Sequence, residues 1–471
     1  MKNLKKLTAG LLSFSLIFGI TGCDQQSEGG SPVVTEPETE EYTVDLGDIT
    51  LPIEDNKNID GAVVDYIGTY DLRKAGDVKP AYTYFVDNYN ATIEVKMVAD
   101  SEIMDNLARL IQSGDSPDLV DQRGNSFPYY IGQNTYMSLD DYIDMNAPQW
   151  EQVKDYIDAY AIKGKHYYYP WSYYVSSRFM IYNRGKFQGF GIDDPKELYD
   201  KGEWTWDTFY NCIDQFVTKA KQDDPNALGM YGSISDSWID STGTPLVGFE
   251  NGQLVNNLNN ANVDRAQSYL ENLKKEGLIK IDYGDGYNNV AHEPVIQGYA
   301  AFQIMGDWKI TDYAKKQAKN PDLDIFFVPV PKDPNADKYY MNLNTFAYMV
   351  PAGAKDAEAS CTFINCVRLS KTDPELSKKV DESILTEKKY TEEQYEFWKY
   401  FYTVENFSSD SLVSDFAYHL DDQTVDDVIL KLCDSLPLTD NEDITTWTSM
   451  RSSYEAVLKN SIDTINADLA K

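Results

Sequence analysis

The chain is poor in the residues that most enzyme chemistry needs. Its 471 residues include only three histidines, His166, His292 and His419, and no H-E-x-x-H, so a zincin site is excluded. The Gly-Lys pairs at 164–165 and 185–186 are followed by His166 and Phe187, not by Ser or Thr, so there is no P-loop. Neither G-x-S-x-G nor G-x-G-x-x-G occurs. Cysteine is scarce, and Cys212, Cys361, Cys366 and Cys433 lack C-x-x-C or metal-ligand spacing. Cys361 and Cys366 lie five apart on an expected helix and project in different directions, so buried free thiols are preferred to a disulfide. Positive charge is short too: 42 Lys and Arg stand against 76 Asp and Glu, a net charge of −34, which argues against nucleic acid or an anionic lipid surface as partner. So many acids could hide a glycosidase pair about 5–9 Å apart. Most fall at helical surface positions or in one N-terminal segment, so a solvated face is the preferred reading.

The N-terminus carries a long uncharged and mostly apolar run. Lys2, Lys5 and Lys6 precede residues 7–20, which hold no charge and lead into Thr21-Gly22-Cys23. Roughly 14 residues are too few to span a hydrocarbon core of about 30 Å. A basic start, an apolar middle and small residues before a cut mark a secretory signal. Residues 20–23 resemble the lipobox of bacterial lipoproteins, which implies that Cys23 receives a diacylglycerol and becomes the mature N-terminus; the bland alternative is an ordinary signal peptide with a chance cysteine. Residues 24–41, DQQSEGGSPVVTEPETEE, hold six acids and no base. Such a segment cannot bury enough apolar surface to offset its ordering entropy, and its charges keep it extended. Residues 1–22 are therefore expected to be a signal peptide, and 23–58 a lipidated, disordered acidic tether.

The remaining roughly 410 residues exceed what one core usually supports, so two domains are expected. Residues 61–70 and 91–100 read as strands, and Ile103, Met104, Leu107, Leu110 and Ile111 recur at helical spacing. A short strand, PDLVD, follows at 117–121. Strands alternating with helices predict a mostly parallel sheet flanked by helices. SLDDYID, from Ser138, and WEQVKDYIDAY, from Trp150, are expected to be helices, and residues 166–183 one long extended run. Thr205 is a good N-cap for a helix striped by Trp206, Phe209, Ile213 and Phe216. Residues 235–253 look turn-rich and irregular. A helix is expected over 263–275 and another from Pro294. GYAAFQIMGDW (298–308) then gives a short apolar strand that stops on Gly306-Asp307-Trp308. DIFFVPVP and residues 342–353 read as extended. Helices follow over 356–369 and from about Thr445 to Leu469.

Aromatic residues are plentiful, with 35 tyrosines and 8 tryptophans. Tyr and Trp offer an apolar face with a hydrogen-bonding tip, which suits ligands gripped by stacking. The lipobox, the tether, PDLVD, GKHYYYPW…FMIYNRGKFQGFGID, GEWTWDTF, VIQGYAAFQIMGDW, VPVP and NTFAYMVPAGAKDAEASCTFI occur in one order. Together they resemble the bacterial extracellular solute-binding proteins that serve carbohydrate ABC importers, over residues 59–471.

The resemblance implies an α/β fold of two lobes, of the periplasmic-binding-protein type (class II), with the ligand in the cleft between them. The first lobe is expected over 59–172 plus 347–400 and the second over 173–346 plus 401–471. Crossings are expected in PWSYYVSS, near NLNTFAYM and near FYTVENF. It also implies a monomer that binds a carbohydrate, docks on a permease, touches the membrane only through its lipid and uses no cofactor.

In such sheets ligands sit beyond the carboxyl ends of the strands. Trp308 is the first candidate, as a platform for a sugar ring; Asp307 is either a ligand contact or the N-cap of the next helix. Tyr70 and Asp71 after the first strand, and Asp121, Gln122 and Arg123 after PDLV, are expected to line the first lobe. Trp171, Tyr173 and Tyr174 lie at the expected hinge, where Trp171 reads equally as structural. Trp238 and Trp447 are carried over by the resemblance as further aromatic contacts. The abundance of Tyr and acid, and residues 235–253, depart from the family pattern, which leaves the sugar open.

Overall fold

The computed structural model describes residues 44–51, 57–122, 127–176, 178–232, 236–280, 293–320, 322–417, 420 and 446–471. The chain divides into two units, 1–43 and 44–471, and every described residue belongs to the second. The expected signal, Cys23 and most of the tether therefore lie outside the described residues, as do His292, His419, Cys433 and Arg123.

Apolar, β-branched and aromatic runs build two separate sheets. The first holds β1 (Val63–Gly68), β2 (Thr92–Met97), β3 (Leu119–Gln122), β4 (Tyr169–Val175), β12 (Met341–Met349) and β13 (Leu412–Val413). β1 runs parallel to β2 and β3, while β12 runs antiparallel to β3 and β4. The second sheet has the order β11 (Ile325–Pro329), β5 (Phe179–Asn183), β10 (Ala300–Met305), β6 (Leu228–Tyr231), β9 (Ile279–Lys280). Only β5 opposes the others there. Every residue of β5, β10 and β11 is buried, as expected for strands covered on both faces. A small hairpin, β7 (Val247–Glu250) and β8 (Gln253–Asn256), completes the β-structure.

Helices cover both sheets. Trp206–Ala220 begins with a capping box in which the Thr205 amide donates to Thr208 Oγ1 at 2.8 Å and the Thr208 amide donates to Thr205 Oγ1 at 3.4 Å. Its stripe of Trp206, Phe209, Ile213 and Phe216 is buried as the spacing predicts. Glu392–Phe401 packs on β11, with Phe397 against Phe326 and Phe327 and Gln394 Nε2 donating to Ile325 O at 2.7 Å.

Four local expectations change. SLDDYID forms turns instead of a helix. Its aspartates compete with the helical backbone: Asp144 Oδ1 accepts from the Asn146 amide at 2.9 Å, and Asp140 Oδ2 from the His166 amide at 3.0 Å. His166 is clipped between two carboxylates, Nδ1 at 2.6 Å from Asp140 and Nε2 at 3.1 Å from Asp158, which explains its presence without catalysis. The segment from Trp150 is split into Pro148–Glu151 and Lys154–Ala159. Residues 235–253 contain the helix Asp236–Asp240 and the strand β7.

The extended run over 166–183 is really two strands in different sheets. β4 lies wholly in the first sheet and β5 wholly in the second, so a switch at 172/173 would fall inside a strand. β12 also lies wholly in the first sheet, from Met341 onward. The chain thus passes between sheets between Val175 and Phe179, over 330–340, and between 401 and 412. At the first passage Ser176 takes φ 65°, its amide donates to Asn342 O at 2.7 Å, and its hydroxyl to Arg178 O at 2.6 Å.

Candidate functional site

The first passage brings one edge of each sheet together. β4 runs the same way as β3, so Val175 lies at the carboxyl edge of the first sheet. β5 is antiparallel to β10, with Phe179 paired to Met305, so the chain enters the second sheet at its carboxyl edge. Four residue steps span at most about 14 Å. The carboxyl edges of the two sheets therefore flank the same short link, and the space between them is where an open α/β sheet binds its ligand.

On the first edge the backbone is tightly packed. A Cβ on Gly68 would lie 2.9 Å from Asp121 Cβ and closer still to the Tyr66 phenol, so the end of β1 admits only glycine. Thr69 Oγ1 donates to Asp121 Oδ2 at 3.3 Å, and the hydroxyls of Tyr70 and Tyr348 meet at 2.8 Å. Trp171 stacks on Tyr348 at 5.5 Å and 19°. Lys371 Nζ lies 5.5 Å above Trp171 and 3.8 Å from Asp77. Burial first, then Tyr348 and Asp121, push the Tyr70 phenol well above its ordinary range. The structure thus gathers Tyr70, Asp121 and Trp171 around Tyr348, which lies in the NTFAYMVPAG stretch but is not among the site residues expected from the sequence. Asp71 turns instead to Arg73, whose side chain grips it at 2.8 and 2.9 Å and holds its carboxyl below the usual range. The Gln122 backbone pairs with Ala347.

On the second edge, β10 ends at Met305 and the helix Asp307–Gln317 begins. Gly306 is the N-cap and Asp307 the first helical residue, so the cap reading of Asp307 gives way to another role. Asp307 Oδ2 lies 3.3 Å from Lys388 Nζ. Burial pushes Lys388 down, but Asp307, with Tyr390, Asp77 and Glu387 behind it, together more than offset burial and hold the ammonium above its ordinary value. Trp308 is 41% exposed, whereas the other seven tryptophans are at most 5% exposed. The Arg178 guanidinium covers one part of its ring at 5.0 Å from the centroid.

The remaining candidates are spread out. Tyr173 is buried with Arg368 5.6 Å over its ring, and Tyr174 meets Tyr402 at 4.1 Å and Phe346 at 4.5 Å. Trp238 is wholly buried against Phe209, Tyr269 and Trp206. Trp447 is committed to packing between helices, its Nε1 donating to Asp264 at 2.6 Å and its amide to Glu271 at 3.1 Å.

Charged residues beside Trp238 escaped the sequence reading. Asp240 is wholly buried and accepts from Asn342 Nδ2 at 2.6 Å. Burial, then Asp415 and Asp236, push it well above the carboxylate range. Burial pushes Asp415 up to about 7, although it accepts amides from Ala417, Leu246 and Val247. These residues are distant in sequence from the strands they face, and no spacing marks them. Among the described residues no group of three His, Cys, Asp or Glu is placed to hold a metal ion. What the two edges offer is a stacking ring, phenols, and carboxylates paired with cations, which is equipment for holding a polar ligand with apolar faces.

Comparison with known structures gives the fold a context. The GacH receptor of Streptomyces glaucescens, solved unliganded and with acarbose, is 16% identical; the alignment covers 85% of this chain and 99% of that one, with a TM-score of 0.60. The substrate-binding protein Lmo0181 from Listeria monocytogenes, in complex with cycloalternan, is also 16% identical, with 87% and 100% covered and a TM-score of 0.58. UgpB from Mycobacterium tuberculosis, in complex with glycerophosphocholine, is 14% identical, with 86% and 99% covered and a TM-score of 0.60. These likenesses establish the two-lobed periplasmic-binding-protein fold. No curated protein matches. The family model for bacterial extracellular solute-binding proteins matches residues 81–381, more than half of the chain, and the protein belongs to that family.

Proposed function

We propose that the protein captures a carbohydrate between the carboxyl edges of its two sheets and delivers it to the permease of an ABC importer. The observation that carries this reading is Trp308: one indole of eight is left open, and it stands at the edge where ligands of such sheets bind. Sugar rings present an apolar C–H face to such a ring and hydroxyls to carboxylates, phenols and amides. GacH and Lmo0181 support the class of ligand by fold, while UgpB shows that the same fold also serves a solute that is not a sugar.

The mechanism is recognition without turnover. Ligand touches both lobes when the cleft closes and one when it opens, so it stabilises the closed form. Among the described residues no helix is long and apolar enough to cross a membrane. Attachment through a lipid on Cys23 would hold the body near its permease and raise its local concentration there. Tyr70, Asp121 and Trp171 would line the first lobe, with Trp308 and Asp307 on the second and Tyr174 near the links.

The test is a panel of mono- and oligosaccharides followed by thermal melting and tryptophan fluorescence. A saturable rise in melting temperature, lost in Trp308→Ala, with the sugar recovered unaltered, is the expected result. Consumption of the sugar would replace this reading with a glycoside hydrolase. A response to peptides or phosphodiesters alone would change the ligand class.

A further inference from the structure

A cavity of about 590 Å³ opens beside the edge strand of the second sheet, and none of its lining residues belongs to the two edges described above. Its walls are the helix Pro195–Asp200 and the helix Glu392–Phe401, closed by Tyr339 from the passage over 330–340. The volume lies within the roughly 300–1,000 Å³ of small-molecule sites. Phe397 and Tyr199 meet edge to face at 5.6 Å, and Tyr199 meets Tyr339 at 5.8 Å. Tyr400 completes the aromatic lining and is 39% exposed, one of few large aromatics so open among the described residues.

The charges at this cavity constrain what fits. Lys196 Nζ lies 4.7 Å over Phe397 and is held by both oxygens of Asp200 at 2.6 and 2.7 Å. Arg184 grips Glu393 at 3.0 and 2.9 Å. Glu396 is exposed and makes no ion pair among the described residues. An anion meets three carboxylates here, and its only cations are already paired. A cation is drawn to Glu396 but meets the ammonium that covers Phe397. A neutral guest meets neither penalty, and it finds an open tyrosine face together with fixed carboxylate acceptors and phenol hydroxyls. Burying paired charges beneath a neutral hydroxyl-rich ring also leaves fewer unmatched polar groups than burying them beneath a hydrocarbon.

We propose that this cavity is a second carbohydrate-contact site, separate from the cleft, for a short neutral saccharide. Tyr400 supplies the stacking face, and Glu396, Asp200 and the Tyr199 hydroxyl accept or donate to sugar hydroxyls. Its position gives it a consequence. Tyr339 lies on the second passage between sheets, where its hydroxyl donates to Val330 O at 2.7 Å, and Tyr400 stands just before the third. A guest therefore rests against two of the links that must flex when the lobes move.

The experiment titrates the full chain with mannotriose and with maltotriose, using ligand-observed NMR and calorimetry on wild type and four variants. In Trp308→Ala a weak class of sites is expected to persist. In Tyr400→Ala that weak class is weakened about tenfold, as loss of a stacked ring requires, while any tighter class is unchanged. Tyr400→Phe, which keeps the ring, restores it to within about twofold. Glu396→Gln, on an exposed side chain, weakens it severalfold with no change in melting temperature. Loss of all binding in Trp308→Ala overturns the proposal, as does a weak class indifferent to Tyr400→Ala. Absence of binding by both trisaccharides overturns it too. A weak class that survives without any cleft binding sinks the cleft reading and leaves this one standing.

Discussion

Gly306 and Trp308 are packed so closely that no side chain could stand between them. A Cβ built on Gly306 would lie 1.9 Å from Trp308 Cζ3 and 2.4 Å from two further ring atoms. Gly306 itself is extended, with φ −72° and ψ 174°, a conformation open to any residue. Glycine is needed here because the indole folds back over the end of β10. Gly306→Ala is therefore expected to swing the ring out of place at a cost of about 1–3 kcal/mol. Sugar affinity in that variant should fall nearly as far as in Trp308→Ala. Titration with the best sugar of the panel checks it, and unchanged affinity would mean that the ring has no part in binding.

This pair also shows what the sequence could carry. An apolar run over 301–305 followed by Gly-Asp-Trp is enough to read a buried strand, its end and an aromatic presented there. The N-cap at Thr205 and the stripe after it were legible for the same reason: both depend on neighbours within a few residues. The switch between sheets was not, because YPWSYYV suits either sheet and the turn rests on Ser176 at φ 65°, with no glycine to announce it. The network around the edges was hidden for a different reason. Asp240 meets Asn342 across 102 positions and Asp307 meets Lys388 across 81, and no local pattern records such encounters.

The pair of Asp307 and Lys388 is expected to stabilise the fold as well as to shape the edge. Lys388 ends the helix Pro374–Lys388, and its ammonium also lies 5.4 Å from the Trp398 ring. Asp307→Asn keeps the shape but leaves a largely buried ammonium without its counter-charge, so a loss of about 1–3 kcal/mol is expected. The folded-state value of Lys388 is raised, so its contribution is whole below the unfolded lysine range, near 10.4, and is lost as pH climbs through the folded value. Urea melts from pH 8 to 11 should show the gap between wild type and Asp307→Asn at its full size below about pH 10 and only beginning to narrow at the alkaline end. No gap at pH 8 would mean that the carboxylate adds nothing to the ammonium's hold on the fold.

Asp240 and Asp415 act in the opposite direction. Burial raises both above the unfolded carboxyl range, near 3.9, so each favours the fold when protonated and opposes it as pH rises. The opposition grows from about pH 4 toward 7 for Asp415, and further for Asp240. The groups facing Asp240 are Asp415, Asp236 and the Asn342 amide, and Arg178 lies near enough to favour the charged form of Asp236. Asp240→Asn keeps an acceptor for Asn342 and removes the buried charge. Its melting temperature should exceed that of wild type at pH 8, and the difference should fade by about pH 4. A variant less stable than wild type at pH 8 would mean that the carboxylate is needed as such.

The three described cysteines should be silent in the native state. Cys212, Cys361 and Cys366 are buried and free. Burial pushes the Cys212 thiol up to about 12 and raises the other two as well. Since the thiolate is the reactive form, labelling requires both access and a deprotonated sulfur, and the fold withholds both. With Cys23 and Cys433 replaced by serine, a chromogenic disulfide reagent at pH 8 should label none of the three until urea unfolds the chain. All three should then appear together in one cooperative step. Cys361 and Cys366 share the helix Ala357–Thr372, which packs against the helix Lys79–Tyr89 through Phe363 and Phe85. Labelling of that pair before Cys212 would show that the first lobe opens ahead of the second, and a reducing agent should leave the melting temperature unchanged in either case.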